Sequence, residues 1–511
     1  MFAKIRSAHI SGIDGLLIDV EAYIASGALP SFNIVGLADN AIRESRERVK
    51  AALKNLNFNI FRKSITINLA PADFRKEGTH FDLPIAIALL KAAGYIKRNF
   101  NEVLIIGELS LDGKIRSVSG VLPMAIEARN NGIEGMILPD GNMNEASYVD
   151  GLSIYGFQRL DELLKYMQGE SSITPLKTKK FEELLDSSYK GPDFKDVLNQ
   201  KSAKRGIEIA SAGMHNVLMI GPPGSGKTMI AKRVPGVLPE LSFEEALETT
   251  KIHSVAGVLK RRRGLVVRRP FISPHHTASD VAIIGGTKEA RPGLVSHAHN
   301  GILFLDELLE FKRAVLEVMR QPLEDGYVTI ARAGRTVRYP AKFMLIAACN
   351  PCPCGFLWSK KRECMCTQAQ ITKYQSKLSG PLIDRIDIHM KMEDAELTSY
   401  NYTGNEESSE IIKGRIIKAI ELQKERYKGV GFSYNAHMSD EYIREHIKFD
   451  NTISRLLEKI DITYGLSGRS LNKIIKLSRT IADLAGDGMI KENHILEAVK
   501  LRYLDINHKS F

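Results

Sequence analysis

The chain has 511 residues, 44% hydrophobic and 26% charged, which excludes a disordered composition and a single small core and points to several globular domains. A formal net charge of +11 and a pI near 9.2 favour an anionic partner, nucleic acid ahead of membrane, and a basic surface without a partner stands level on charge alone. Met1–His9 lacks the apolar core of a signal peptide, and Leu83–Ile96 is broken by Lys91 and too short to span a bilayer, so a cytoplasmic protein without membrane contact is expected.

Residues 1–170 read as an α+β domain. Short β-rich runs recur at Leu16–Val20, Phe32–Val35, Ser64–Leu69 and Val103–Ile106. Between them, Ala41–Leu56 places Ile42, Val49, Leu53 and Leu56 on one helical face, with Arg43, Arg46, Arg48 and Lys50 on a solvated side. Two stretches, Lys76–Leu83 and Gly107–Ile115 continuing to Ile137-Leu138-Pro139, resemble the segments of the Lon proteolytic domain that carry its serine and lysine. Here Glu77–Pro84 has no serine, and the lysine position after Ser119-Gly120 holds Val121-Leu122-Pro123. A Ser–Lys dyad needs both groups, so the resemblance implies a Lon-like fold inactive as a protease.

Residues 171–190 are polar and read as a linker. A helix over Ala203–Ala212 and the apolar run Val217–Ile220 then lead into Gly221-Pro222-Pro223-Gly224-Ser225-Gly226-Lys227-Thr228. This G-x-x-x-x-G-K-T signature in strand–loop–helix context is a phosphate-binding loop: backbone N–H groups cradle phosphates, Lys227 reaches the terminal ones, and the Thr228 hydroxyl ligates Mg²⁺. Lys260-Arg261-Arg262-Arg263 and Arg268-Arg269 flank Gly264–Val267, a basic hairpin-like insertion for which DNA contact and a solvated surface stand equal. His275 and His276 suit a structural loop better than a metal site.

Gly301–Glu307 reads as a buried strand delivering two carboxylates, a Walker B pattern in which Asp306 holds Mg²⁺ and Glu307 acts as general base toward water. Gly326–Tyr339 alternates, turns at Ala333-Gly334 and alternates again; this is a hairpin whose Arg332, Arg335 and Arg338 are expected on DNA phosphates. A third strand, Phe343–Ala348, ends at Cys349-Asn350, where AAA+ ATPases keep the sensor that positions the lytic water, a role the resemblance gives Asn350. Cys352, Cys354, Cys364 and Cys366 form two C-x-C pairs joined by a short loop and suit a structural Zn²⁺, with Cys349 left to the core. Ser379–Asp387 resembles the arginine-finger segment of the magnesium-chelatase and MCM branch, which would send Arg385 into a neighbour's ATP site. Arg469, opening a late helix at Gly465–Ser470, fits sensor 2.

Together with Arg269–Asp280, Arg291–Ser296 and Asn350–Gly355, these motifs resemble the YifB/ComM family of magnesium-chelatase-like AAA+ ATPases over nearly the whole chain. The resemblance implies a Lon-like domain at 1–170, a parallel-sheet AAA+ core at 191–395 and a C-terminal helical lid at 396–511. It also implies an ATP- and Mg²⁺-dependent homo-hexameric DNA helicase that promotes branch migration during natural transformation. The rival expectations are a chelatase-type ATPase remodelling a protein, a Lon-like protease, and a non-catalytic DNA scaffold.

Overall fold

The computed structural model describes residues 1–26, 29–100, 102–185, 191–259, 264–286, 290–332, 335–394 and 406–506, the side chains of 332, 335 and 506 excepted. The basic run 260–263, the hairpin turn 333–334, the linker end 186–190 and the expected boundary at 395–396 lie outside the described residues. The chain divides into two compact units. One comprises Met1–Leu185 with Ser242–Val267, the other Asp186–Leu241 with Arg268–Phe511.

Among its described residues the first unit has nine strands, β1 (Phe2–Ser11), β2 (Asp14–Ala25), β3 (Ser31–Val35), β4 (Ser64–Ala70), β5 (Val103–Ile105), β6 (Glu108–Leu109), β7 (Ile115–Arg116), β8 (Gly135–Pro139) and β9 (Ser153–Phe157). Seven of them make one mixed sheet in the order β3-β4-β2-β1-β5-β8-β9, and β6 pairs β7 as a separate ribbon. The helix Asn40–Asn55 starts where Asp39 accepts the N–H of Ile42 at 2.8 Å, and it buries Ile42, Val49 and Leu53 as its period requires. The apolar stretch at 83–96 is a helix, Asp82–Ala92, buried on nearly every side rather than along one stripe. Its first residue, Asp82, is fully buried and held by a two-pronged bond from Arg48 at 2.6 and 3.0 Å. Arg48 therefore serves the core rather than a solvated face.

The helix Phe243–Val255 lies in the chain between the phosphate loop and the Walker B strand, yet it completes the first unit. Ser242 and Glu245 cap it reciprocally. Its Ser254 hydroxyl donates to Glu145, which also accepts the backbone N–H of Leu122 at 2.9 Å. Burial raises the Glu145 pKa, and these donors oppose that shift. Leu265 is buried in the same unit's core, and the described part of the expected basic insertion, 264–269, contains no strand, while its first arm, 260–263, lies outside the described residues.

The second unit carries β10 (Val217–Ile220), β11 (Phe271–Ile272), β12 (Ile302–Leu305), β13 (Tyr327–Arg332), β14 (Arg335–Pro340), β15 (Met344–Cys349) and β16 (Ile388–Lys391). Five form an all-parallel sheet in the order β11-β12-β15-β10-β16, and β13 and β14 make the expected antiparallel hairpin with Arg332 opposite Arg335. Every residue of β10, β12 and β15 is buried, as a parallel sheet covered on both faces demands. The C-terminal helices, expected as a lid at 396–511, fall in the same compact unit as the parallel sheet. Ile416, Ile420, Leu477 and Ile481 share one apolar cluster with Ile207, Val217 and Ile388, because their amphipathic stripes have no other surface to cover. Among the described residues, no helix is long and apolar enough to cross a membrane.

Candidate functional site

Parallel strands present their C-terminal ends on one edge of the sheet, and chain reversals there build sites. The phosphate loop leaves β10, the acidic pair leaves β12, and Asn350 leaves β15, all neighbours in the sheet. Gly224 and Gly226 take left-handed φ of +79° and +88°, a conformation that lets the loop turn its N–H groups inward before the helix Lys227–Ala231 begins.

Lys227 is folded back into its own loop. Its Nζ donates to the carbonyls of Gly221 at 2.7 Å and Pro222 at 2.9 Å, with Ser225 Oγ at 3.4 Å and Asn350 Oδ1 at 3.3 Å. Burial lowers its pKa, and the charge of Asp306 pulls the other way. Thr228 Oγ1 donates to Asp306 Oδ2 at 2.6 Å, so the two oxygens expected on Mg²⁺ already converge. Asp306 Oδ1 accepts the N–H of Glu307 at 3.0 Å. Glu307 adopts a left-handed backbone at φ +51°, uncommon for a residue with a side chain and a mark of functional turns. Its carboxylate meets His276 Nδ1 at 3.2 Å. The sequence offered no signal for that pair, since nothing in the spacing of residues 276 and 307 ties the loop after β11 to the end of β12. These groups fit a magnesium nucleotide: a cationic amine held by neutral carbonyl, hydroxyl and amide oxygens, a hydroxyl–carboxylate pair and a carboxylate beside them.

Arg385 lies elsewhere in the unit. Its Nη1 donates to Pro381 O at 2.7 Å and its Nη2 pairs with Glu324, leaving the side chain only 13% exposed. The arginine is thus turned in rather than projecting. Both line a pocket of about 570 Å³ with Asp280, Glu317, Arg320 and Gln321. Arg385 foremost, and also the positive charges of Arg469 and Arg320, lower the Glu324 pKa. The backbone behind Arg385 is fixed: its carbonyl accepts Asn216 Nδ2 at 3.0 Å, and Lys473 Nζ reaches Ile386 O at 3.0 Å and Asp387 at 3.4 Å. Burial raises the Asp387 pKa, but Lys473 and His215 overcome it and hold the carboxyl well below its usual range. Lys473 belongs to the helix Gly468–Ala485 that Arg469 opens, so the two arginines ride on one braced assembly.

On the hairpin, Arg338 is exposed and its guanidinium stacks over Tyr327 at 3.8 Å, while the side chains of Arg332 and Arg335 lie outside the described residues. The thiols of Cys352, Cys354, Cys364 and Cys366 all fall within 4.8 Å of one another, with Sγ separations of 3.4 Å for Cys352–Cys354 and 3.6 Å for Cys352–Cys364 and Cys354–Cys364. Four thiolates about 2.3 Å from a tetrahedral zinc ion stand about 3.8 Å apart, so the donor set is of the right size to hold a metal. Burial raises the Cys354 pKa, but hydrogen bonds from the Phe356 and Met365 backbones outweigh it and bring the thiol down to about 6. Cys349 is fully buried, and burial pushes it up to about 12, in keeping with a core role.

Comparison with known proteins agrees with this geometry. The model for magnesium chelatase, subunit ChlI, matches residues 193–400, that for subunit ChlI of Mg-chelatase matches 20–142, and that for the subunit ChlI C-terminal region matches 406–502. Competence protein ComM of Haemophilus influenzae is 39% identical over 505 residues, covering 98% of this chain and 97% of that protein. The chain belongs to the YifB/ComM family of magnesium-chelatase-like proteins. Its relatives there include the uncharacterized protein YifB of Escherichia coli, 39% identical over 97% of this chain and 96% of that one, and an uncharacterized Mycobacterium tuberculosis protein, 38% identical over 94% of each. Membership in the YifB/ComM family supports ATP binding, Mg²⁺ and ATPase activity for this chain.

Proposed function

We propose that this protein is a cytoplasmic, ring-forming DNA motor: a homo-hexameric helicase that promotes branch migration during natural transformation and homologous recombination. The observation that carries the reading is the division of the ATPase parts. Lys227, Thr228, Asp306, Glu307 and Asn350 converge at one edge of the sheet, whereas Arg385 pairs with Glu324 on a separate surface braced by the helix that carries Arg469. A finger of that kind has its use at a neighbour's nucleotide, so the division supports a ring.

Bound Mg·ATP supplies the phosphoanhydride to be cleaved and the divalent charge that steadies it. The loop N–H groups from Gly221 to Thr228 hold its phosphates, and Lys227 exchanges the Gly221 and Pro222 carbonyls for phosphate oxygens. Thr228 and Asp306 hold the ion. Glu307 accepts the proton of the attacking water, with Asn350 orienting that water. Arg332, Arg335 and Arg338 grip DNA phosphates from the hairpin. The four clustered cysteines hold Zn²⁺. The first unit keeps a Lon-like fold without protease chemistry, since Val121–Pro123 opens a buried helix rather than presenting a base.

The deciding experiment is a branch-migration assay on a synthetic Holliday junction, comparing the native protein with Glu307→Gln. ATP-dependent product from the native chain alone supports the motor, and none from either, with no DNA binding at moderate salt, sinks it. A second reading, a chelatase-type ATPase that remodels a protein partner, draws on the family membership, and ATPase activity indifferent to DNA would favour it.

A further inference from the structure

The segment between Asn350 and the helix Gln368–Gln375 contains no helix or strand. Such a length of irregular backbone beside a phosphate site must be held by something other than a ladder of hydrogen bonds. Its two ends are tied down. Pro351 O accepts Gln375 Nε2 at 2.9 Å, and Thr367 caps the following helix reciprocally with Gln370. Near the middle, Ser359 Oγ and the Lys360 N–H reach Asp394 at 2.9 and 2.7 Å. The thiol cluster adds a link across the loop, joining residues 352–354 to 364–366.

The first half of that cluster bears directly on the nucleotide loop. Gly355 donates its N–H to the Cys352 carbonyl at 3.0 Å and has a left-handed φ of +85°. A Cβ at Gly355 would stand 2.6 Å from Pro223 Cδ, so the thiol-bearing turn rests on the phosphate loop with no room for a side chain. Asn350, two residues before Cys352, holds its Oδ1 3.3 Å from Lys227 Nζ. A cross-link at the cysteines therefore fixes a backbone that touches the phosphate loop at Pro223 and its lysine through Asn350. Four thiolates around a divalent ion carry a net charge of about −2, and Lys360, Lys361 and Arg362 lie on the same loop to offset it.

We propose that Zn²⁺ bound by Cys352, Cys354, Cys364 and Cys366 is the strut of the ATP pocket, so that nucleotide affinity depends on the metal. The inference rests on reading Gly221–Thr228 as the nucleotide site and the four thiols as a zinc site. Without the cross-link the loop regains conformational freedom, and the order at Pro223 and Asn350 must be re-established when nucleotide binds.

The test uses the full chain. Zinc released by a thiol-blocking reagent is measured with a colorimetric chelator, and affinity for a fluorescent ATP analogue is measured by titration. The native protein is expected to hold one zinc ion. Chelated native protein and the Cys364→Ser/Cys366→Ser variant should hold none and bind the analogue about ten- to a hundredfold more weakly, the scale of removing one hydrogen bond to a charged group. Added Zn²⁺ should restore the chelated native protein and not the variant. Gly355→Ala should retain zinc and still bind the analogue more weakly, because its Cβ displaces Pro223. Zinc-free protein that binds the analogue as tightly as the zinc-loaded form overturns the proposal. Failure of its two premises looks different: a native chain that never takes up zinc removes the metal reading, and Lys227→Ala that binds the analogue normally removes the nucleotide site.

Discussion

Lowering the pH from 7 to 5 should loosen the first unit through a single buried histidine. His80 lies in the stretch that resembles a protease's serine segment, and it is sealed between the rings of Phe81, 4.2 Å away, and His9, 6.2 Å away. Burial drives its pKa from 6.5 down to about 4, with a hydrogen bond to the Ala8 backbone opposing the shift, and among the described residues its buried Nε2 has no partner to share a second proton. The unfolded chain takes up a proton near pH 6.5, whereas the folded one resists until about pH 4. Between those values the unfolded state binds more protons, so stability is full above pH 6.5 and is lost as the pH falls. At pH 5 about 1.5 units of that window have been crossed, which costs about 2 kcal/mol. Hydrogen exchange of the amides in Asp82–Ala92, corrected for intrinsic rates, reads this local stability. His80→Gln can keep a donor toward Ala8 and does not titrate, so it should show a pH dependence shallower by about that amount. Asp82 and Glu145, whose pKa values burial raises, titrate alike in both proteins and cancel from the difference. Equal slopes in the two proteins would refute the reasoning.

Three further outcomes are expected. Glu307→Gln should lower ATP turnover by about 10²–10⁴-fold with nucleotide affinity retained, and a turnover within a few-fold of native would remove Glu307 as the base. Ser254→Ala takes a donor from the buried Glu145 carboxylate and should cost the helix Val121–Asn130 about 2 kcal/mol in hydrogen-exchange stability, while an unchanged value would mean the helix Phe243–Val255 does not brace it. Arg338→Ala should weaken DNA binding and flatten the slope of log affinity against log salt by about 0.9, the share of a single neutralised phosphate, whereas an unaltered slope would leave Arg338 with only its stacking on Tyr327.

The strongly patterned parts of this chain are readable from its residues alone. Buried parallel strands show as continuous apolar runs, so β10, β12 and β15, and with them Lys227, Asp306 and Asn350, stand where the runs place them. The hairpin β13–β14 announces itself by alternation around Ala333-Gly334. By contrast, β1 escapes such a reading because its buried face includes Ala3, Ser7 and His9, small or polar residues that carry no hydrophobic period. The membership of Ser242–Val267 in the first unit is also hidden, since an amphipathic helix states that it has a buried face and not which core the face joins. Pairings between distant side chains, His276 with Glu307 and Glu324 with Arg385, leave no trace in local spacing at all.

The discontinuity of the first unit has a consequence for how the chain is born. Synthesis runs from the N-terminus, and the phosphate loop at 221–228 leaves the ribosome before the helix Phe243–Val255 and Leu265 that complete the first unit's core. Glu145 stays without its Ser254 donor until 109 residues after it was made. At about 5–20 residues per second, that interval lasts on the order of ten seconds. During it the nascent chain carries an unfinished first core and a half-made nucleotide fold together, so the two units mature as an interleaved pair rather than one after the other.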